Sequence, residues 1–165
     1  MAEGVAITDP ALFNSPLETG VRAVVVLDAI YPRVADLSEL TWLDHLVVHT
    51  ADIGGPPSLH PAIPQRTGEL LVRRRLVEDG LRLMRRLHLV DAETTGDGIV
   101  YVAREEAAAF VESLRTQYGR ILRQRAQWLA DYLRQTSRED LSRLISDRLG
   151  RWAVEFQGEV GPRSE

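Results

Sequence analysis

Residues 67–103, TGELLVRRRLVEDGLRLMRRLHLVDAETTGDGIVYVA, decide the fold of this 165-residue chain. Leu70, Val72, Leu76, Val77, Leu81, Leu83, Met84 and Leu87 fall on one half of a helical wheel at about 100° per residue, and Arg74, Arg75, Arg82, Arg85 and Arg86 fall on the other. A helix over 67–88 follows. The period then changes. Residues 89–95 and 99–103 read as two short strands around Gly96-Asp97-Gly98, where the Asp-Gly dipeptide supplies the positive φ that a tight hairpin turn needs.

Toward the N-terminus, Ser15, Pro16 and Glu18 form a capping-box start with proline at the first helical position. That helix should run to about Tyr31, where Pro32 stops it. From Val21 it is apolar nearly all round, which predicts a central place in the fold. Asp36 and Glu39 repeat the box, and apolar positions 37, 40, 43, 46 and 47 carry a second helix to about Thr50. Residues 51–66 hold four prolines and two glycines, so they form a loop. Downstream, residues 105–114, 118–133 and 138–152 read as helices, with Thr136 or Ser137 capping the last. Three helices followed by a hairpin is the order of a winged helix. The predicted fold is therefore mostly α with a small β-hairpin: a winged-helix-like core over 13–104, a C-terminal helical extension over 105–156, and flexible tails at 1–12 and 157–165.

Composition excludes several functions. The chain has no cysteine, hence no disulfide, thiolate metal site or cysteine nucleophile. No apolar run is long enough to span a bilayer and the first residues do not read as an export signal, so a cytoplasmic location without membrane contact is expected. All 20 basic residues are arginine, and the formal net charge is -4. Residues 66–88 nevertheless carry a net +4, from seven arginines against Glu69, Glu78 and Asp79, which leaves -8 for the rest. In a winged helix the third helix reads the major groove, so Arg74, Arg75, Arg82, Arg85 and Arg86 are candidate nucleic-acid contacts. An acidic protein partner, or solvent, would satisfy the same face.

Candidate chemistry is sparse. His45 and His49 share a helix face, and Asp52 and His60 could join them around a metal, but the glutamate of H-E-x-x-H is missing. The reading adopted is a pair of partly buried histidines bonded to the Gly/Pro loop, with no metal and no cofactor. Neither a nucleophile elbow, a P-loop nor a dinucleotide fingerprint occurs, so the chain is not expected to be an enzyme. Two arginines break their patterns: Arg73 projects into the apolar face of the third helix, and Arg125 lies between Leu122 and Leu129. A buried guanidinium requires a partner. Glu18, Asp52 or Glu69 could serve Arg73; alternatively, both arginines face a partner subunit. If Asp52 and His60 tie down the Gly/Pro segment, Asp52→Ala should cost about 1–3 kcal/mol.

Particular words in the chain carry a resemblance: residues 13–20 (FNSPLETG), 49–61 (HTADIGGPPSLHP) and 68–74 (GELLVRR), with Gly150-Arg151-Trp152 and Glu155-Phe156. Together they resemble the middle component family of bacterial ABC three-component conflict systems, of which Lamassu-type systems are a related example. The resemblance implies a non-catalytic accessory subunit linking an ABC-type, SMC-like ATPase to an effector, commonly a nuclease, in anti-phage or anti-plasmid defence, with DNA contact through the complex. It carries His49, Asp52, Ser58, His60, Glu69 and Arg73 as structural or partner-binding positions, to which Arg125 is added on its own pattern and Trp152 as an aromatic anchor. The alternative is a winged-helix transcriptional regulator, and a histidine-carboxylate metalloenzyme is a third class.

Overall fold

The computed structural model describes residues 15–61 and 69–149, apart from the side chains of Glu69, Ile145, Arg148 and Leu149. Both predicted tails, Trp152 and the N-terminal turn of the predicted third helix lie outside the described residues.

Helix α1, Pro16–Ile30, starts at Ser15, whose hydroxyl accepts the Glu18 amide at 3.2 Å. Only half of the expected box forms. The Glu18 carboxylate turns instead toward Arg22, 4.0 Å away. As its composition predicts, α1 is the central helix: residues 23–27 are all buried, and the helices Leu37–Val48, Glu69–Arg86, Ala107–Glu112 and Gln117–Arg134 pack around it. Each such Val or Leu contributes about 1.5–3 kcal/mol by leaving water.

Strand β1, Ala35–Asp36, leads directly into α2, Leu37–Val48. Here the capping box is complete, with Asp36 accepting the Glu39 amide at 2.8 Å and the Glu39 carboxylate accepting the Asp36 amide at 3.4 Å. A 3-10 turn, Thr50–Ile53, opens the Gly/Pro loop. Helix α3, Glu69–Arg86, keeps the predicted register, but its buried stripe is Leu70, Val77, Leu81 and Met84. Val72 and Leu87, counted above among the apolar half, are exposed because both lie beyond the margin of that stripe. Gly80 is the reason α3 can approach α1 so closely. A Cβ on Gly80 would stand 2.6 Å from the Gly20 nitrogen, and one on Gly20 would stand 2.8 Å from the Gly80 carbonyl.

The hairpin forms as expected from β2, Val90–Thr95, and β3, Gly98–Ala103, with the positive φ at Gly98 (126°). The sequence reading missed the third strand: β1 pairs antiparallel with β3 through Ala35↔Tyr101 and Asp36↔Val100, giving the sheet order β1-β3-β2. The result is a mostly helical protein with a small three-stranded antiparallel sheet, an arrangement compatible with a winged helix. Beyond it run α4, Ala107–Glu112, α5, Gln117–Arg134, and α6, Arg138–Leu149. Thr116 caps α5 and Ser137 caps α6, accepting the Gly119 and Asp140 amides at 3.0 and 3.1 Å. Leu122, Ala126, Leu129, Leu133 and Leu141 join the same apolar cluster as α1, α2 and α3.

Candidate functional site

Three helices bring one charged residue each to a single buried point. Arg22 interrupts the apolar body of α1, Asp44 lies between Leu43 and Val47 on α2, and Arg73 enters from the first turns of α3. Arg22 and Asp44 are 2% and 3% exposed, so neither charge could exist there alone. They are not alone. Arg22 Nε donates to Asp44 Oδ1 at 2.8 Å, its second nitrogen reaches Oδ2 at 3.4 Å, and Arg73 donates to the same Oδ2 at 2.5 Å. Arg22 also donates to Thr19 Oγ1 at 3.3 Å.

The electrostatics follow from that geometry. Burial pushes the Asp44 carboxyl up, but the charges and hydrogen bonds of Arg22 and Arg73 together outweigh it and hold the group below the ordinary carboxylate range. Burial likewise opposes the charge on Arg22, and Asp44 overturns that effect, so Arg22 stays protonated above its usual range. The expectation that Glu18, Asp52 or Glu69 would serve Arg73 is corrected: Asp44 is the partner, because the α2–α3 crossing sets its carboxylate beside the guanidinium.

A layer of rings covers this pair. The His45 and His49 ring centres are 4.6 Å apart, His49 and His60 meet edge to face at 6.1 Å, and His60 stacks on Tyr118 of α5 at 5.9 Å. His60 Nε2 lies 2.8 Å from the Tyr118 hydroxyl, which also hydrogen-bonds Arg22. Desolvation, followed by the nearby Arg73 charge, pushes His45 down to about 3; desolvation and the Arg22 charge push His60 down to about 4. His49 is lowered for the same two reasons, burial and Arg73. All three imidazoles are therefore neutral at pH 7. Among the described residues, no three His, Cys, Asp or Glu side chains are arranged to hold a metal ion.

The Gly/Pro loop closes over the rings through short-range bonds. His60 N donates to Val48 O at 3.0 Å, Thr50 Oγ1 donates to Pro56 O at 2.9 Å, and Ala51 N donates to Ser58 Oγ at 3.2 Å. Arg125, the second off-pattern arginine, donates through Nε to Pro57 O at 3.0 Å and so ties the loop to α5. Gly55 rests on Trp128, whose ring would lie 2.6 Å from any Cβ there. Of the residues singled out in the sequence, His49, Ser58, His60, Arg73 and Arg125 converge on this loop and its support. Asp52 is at the margin, 47% exposed, with Oδ2 3.6 Å from His45 Nε2, so a small stability cost replaces the one expected above. The Glu69 side chain and Trp152 lie outside the described residues.

The arginines of α3 divide. Arg74 donates to Ser38 Oγ of α2 at 2.9 Å, whereas Arg75, Arg82, Arg85 and Arg86 are exposed, Arg82 held by Glu78 and Asp79 at 3.7 and 3.3 Å. Sequence reasoning missed Arg22, Asp44 and Tyr118. The signal was present for the first two: a charge flanked by apolar positions on a buried helix face needs an opposite charge on a neighbouring helix.

A model of the ABC-three component system Middle Component 2 family matches residues 12–155. The chain belongs to that family. No curated protein and no solved structure matches it. As a Middle Component 2 protein it is one component of an ABC three-component system. Among its described residues no helix is long and apolar enough to cross a membrane. The matched span includes the Arg22–Asp44–Arg73 point, the ring layer and the Gly/Pro loop, so this construction lies inside the family domain.

Proposed function

We propose that this chain is a non-catalytic accessory subunit that joins an ABC-type, SMC-like ATPase to an effector, commonly a nuclease, in a cytoplasmic anti-phage or anti-plasmid defence complex. The observation that carries the reading is where Arg73 goes. Of the positions that the resemblance singles out, Ser58, His60 and Arg73 are hydrogen-bonded within the scaffold and His49 packs in its ring layer, so these four are not presented as an open reactive group. Such a scaffold fixes the shape of a loop and of three helices, which is what a docking subunit needs.

The order helix, strand, helix, helix, strand, strand supports a winged-helix core. Two features argue against the alternative, a regulator that reads duplex by itself. After α2 the described residues 49–61 already form a 3-10 turn and a loop, whereas a helix-turn-helix reader uses a turn of about 3–4 residues. Base contacts in that class come from the N-terminal part of the recognition helix. In α3 that part holds Arg73, committed to Asp44, and Arg74, bonded to Ser38. With a net charge of -4 the subunit alone gains little long-range attraction to DNA, so DNA contact comes through the assembled complex.

Co-expression with the ATPase of its own system tests the proposal. The two should elute together from a size-exclusion column at micromolar concentration. Quantitative separation, or a sequence-specific duplex footprint from the isolated subunit, would overturn it in favour of the regulator.

A further inference from the structure

Strand β2 is an outer strand of the sheet, and its backbone register is fixed at both ends. Arg104 N donates to Leu89 O at 3.0 Å, and Thr95 pairs with Gly98 across the turn. In an antiparallel ladder the residues that exchange bonds alternate. Leu89, Asp91, Glu93 and Thr95 therefore direct their backbone groups at β3. Val90, Ala92 and Thr94 direct theirs away from it; Val90 is buried, so the edge is open at Ala92 and Thr94. Proteins usually blunt such an edge with proline, a bulge, charged side chains or cover; β2 has no proline and no bulge, and its two charges, Asp91 and Glu93, stand at the positions bonded to β3 and not at Ala92 or Thr94.

Beside the first half of this edge runs a groove of about 340 Å³ lined by Arg82, Arg85, Arg86, Val90, Asp91 and Ala92. The three arginines fall within about 100° of one another on α3. Asp91 does not neutralise them, since its carboxylate is held by Arg104 at 2.9 Å. Arg82 is shared with Glu78 and Asp79, while Arg85 and Arg86 have no carboxylate within ion-pair distance among the described residues. The groove thus offers alternating backbone donors and acceptors along one wall and guanidinium forks along the other.

We propose that this edge receives an extended acidic segment of a partner protein as a fourth strand beyond β2, with carboxylates at alternate positions seated on Arg82, Arg85 and Arg86. Strand addition draws affinity from main-chain hydrogen bonds and specificity from what meets every second side chain. Arginine's planar fork suits a carboxylate bidentately. A nucleic-acid duplex would satisfy the guanidiniums but has no strand to give the Ala92 and Thr94 backbone, which is why a peptide is the occupant favoured. The inference rests on the accessory-subunit reading and specifies the chemistry of what that subunit binds.

The test uses the full chain assembled with the other components of its system, compared with the chain alone by hydrogen exchange. The Ala92 and Thr94 amides should exchange at least tenfold more slowly in the complex. Ala92→Pro deletes an outward N–H without touching the β2–β3 ladder, and Arg85→Glu with Arg86→Glu reverses two exposed charges. Each should weaken association at least tenfold while circular dichroism stays that of the wild type. If Ala92→Pro disturbs the fold, the double reversal and the exchange data decide. A complex that forms with both amides unprotected, or that tolerates the double reversal, overturns the inference and leaves the accessory reading standing. A double reversal that costs only duplex binding overturns it in favour of nucleic acid, and failure of any complex to form sinks both.

Discussion

Arg73 and Arg85 lie about three turns apart on one helix and have opposite environments. Arg73 is turned into the core and shares Asp44 with Arg22; Arg85 is exposed and lines a groove beside an unpaired strand edge. Each half of α3 carries three arginines. What differs is the position of each arginine relative to the buried stripe of Leu70, Val77, Leu81 and Met84. Basicity alone therefore does not mark a binding surface: one end of the helix uses arginine to hold three helices together, and the other leaves it available to a partner.

Removing the shared carboxylate should break the buried end most severely. Asp44→Ala would leave two guanidiniums facing each other without their counter-charge, one of them 2% exposed. The expected loss is about 3–5 kcal/mol in a urea titration, the range for orphaning a buried ion pair. A loss below about 1 kcal/mol would mean that water reaches Arg22 freely.

The ring layer sharpens the same contrast through pH. His45 and His60 are depressed in the folded protein to about 3 and about 4, against an ordinary histidine value of 6.5. Above that value both states are neutral and pH has no effect through them. As pH falls below it, the unfolded chain takes up protons that the folded chain refuses, so stability declines at about 1.4 kcal/mol per pH unit per histidine until the folded values are reached. Asp44, held low, adds its own loss only at the acid end, below 3.8. His45→Gln combined with His60→Gln should flatten the stability profile between pH 6 and 4 (the upper part of that window). An unchanged slope would place the responsible groups elsewhere.

The margin of the site should respond least. Asp52→Ala removes a half-exposed carboxylate whose neighbour, His45, is uncharged at pH 7, so the expected cost is below about 1 kcal/mol in thermal unfolding. A larger effect would make Asp52 part of the scaffold.

How far these regions were readable from sequence follows the range of the interactions that build them. The Asp36–Glu39 box, the Ser137 cap and the hairpin at Gly98 are written within a few residues, and each formed as read. Strand β1 was not readable, because two residues, the second of which also caps α2, give no alternation, and their pairing depends on Val100 and Tyr101, which lie far along the chain. Arg73 could be seen to need a partner, yet choosing Asp44 over Glu18 required the crossing of α1, α2 and α3, which Gly20 and Gly80 permit by their missing side chains. The path of the Gly/Pro loop was hidden for a similar reason. Its anchors, Tyr118 to His60 and Arg125 to Pro57, span 58 and 68 residues.

The contrast between the two ends of α3 can be measured in one experiment: Arg73→Gln and the double reversal Arg85→Glu with Arg86→Glu, each assayed for unfolding free energy and for association with the other components of the system. The account predicts that Arg73→Gln loses about 1–3 kcal/mol of stability, while the double reversal stays within about 0.5 kcal/mol of wild type and weakens association at least tenfold. A stable Arg73→Gln protein that no longer assembles, beside a double reversal that assembles normally, would contradict it.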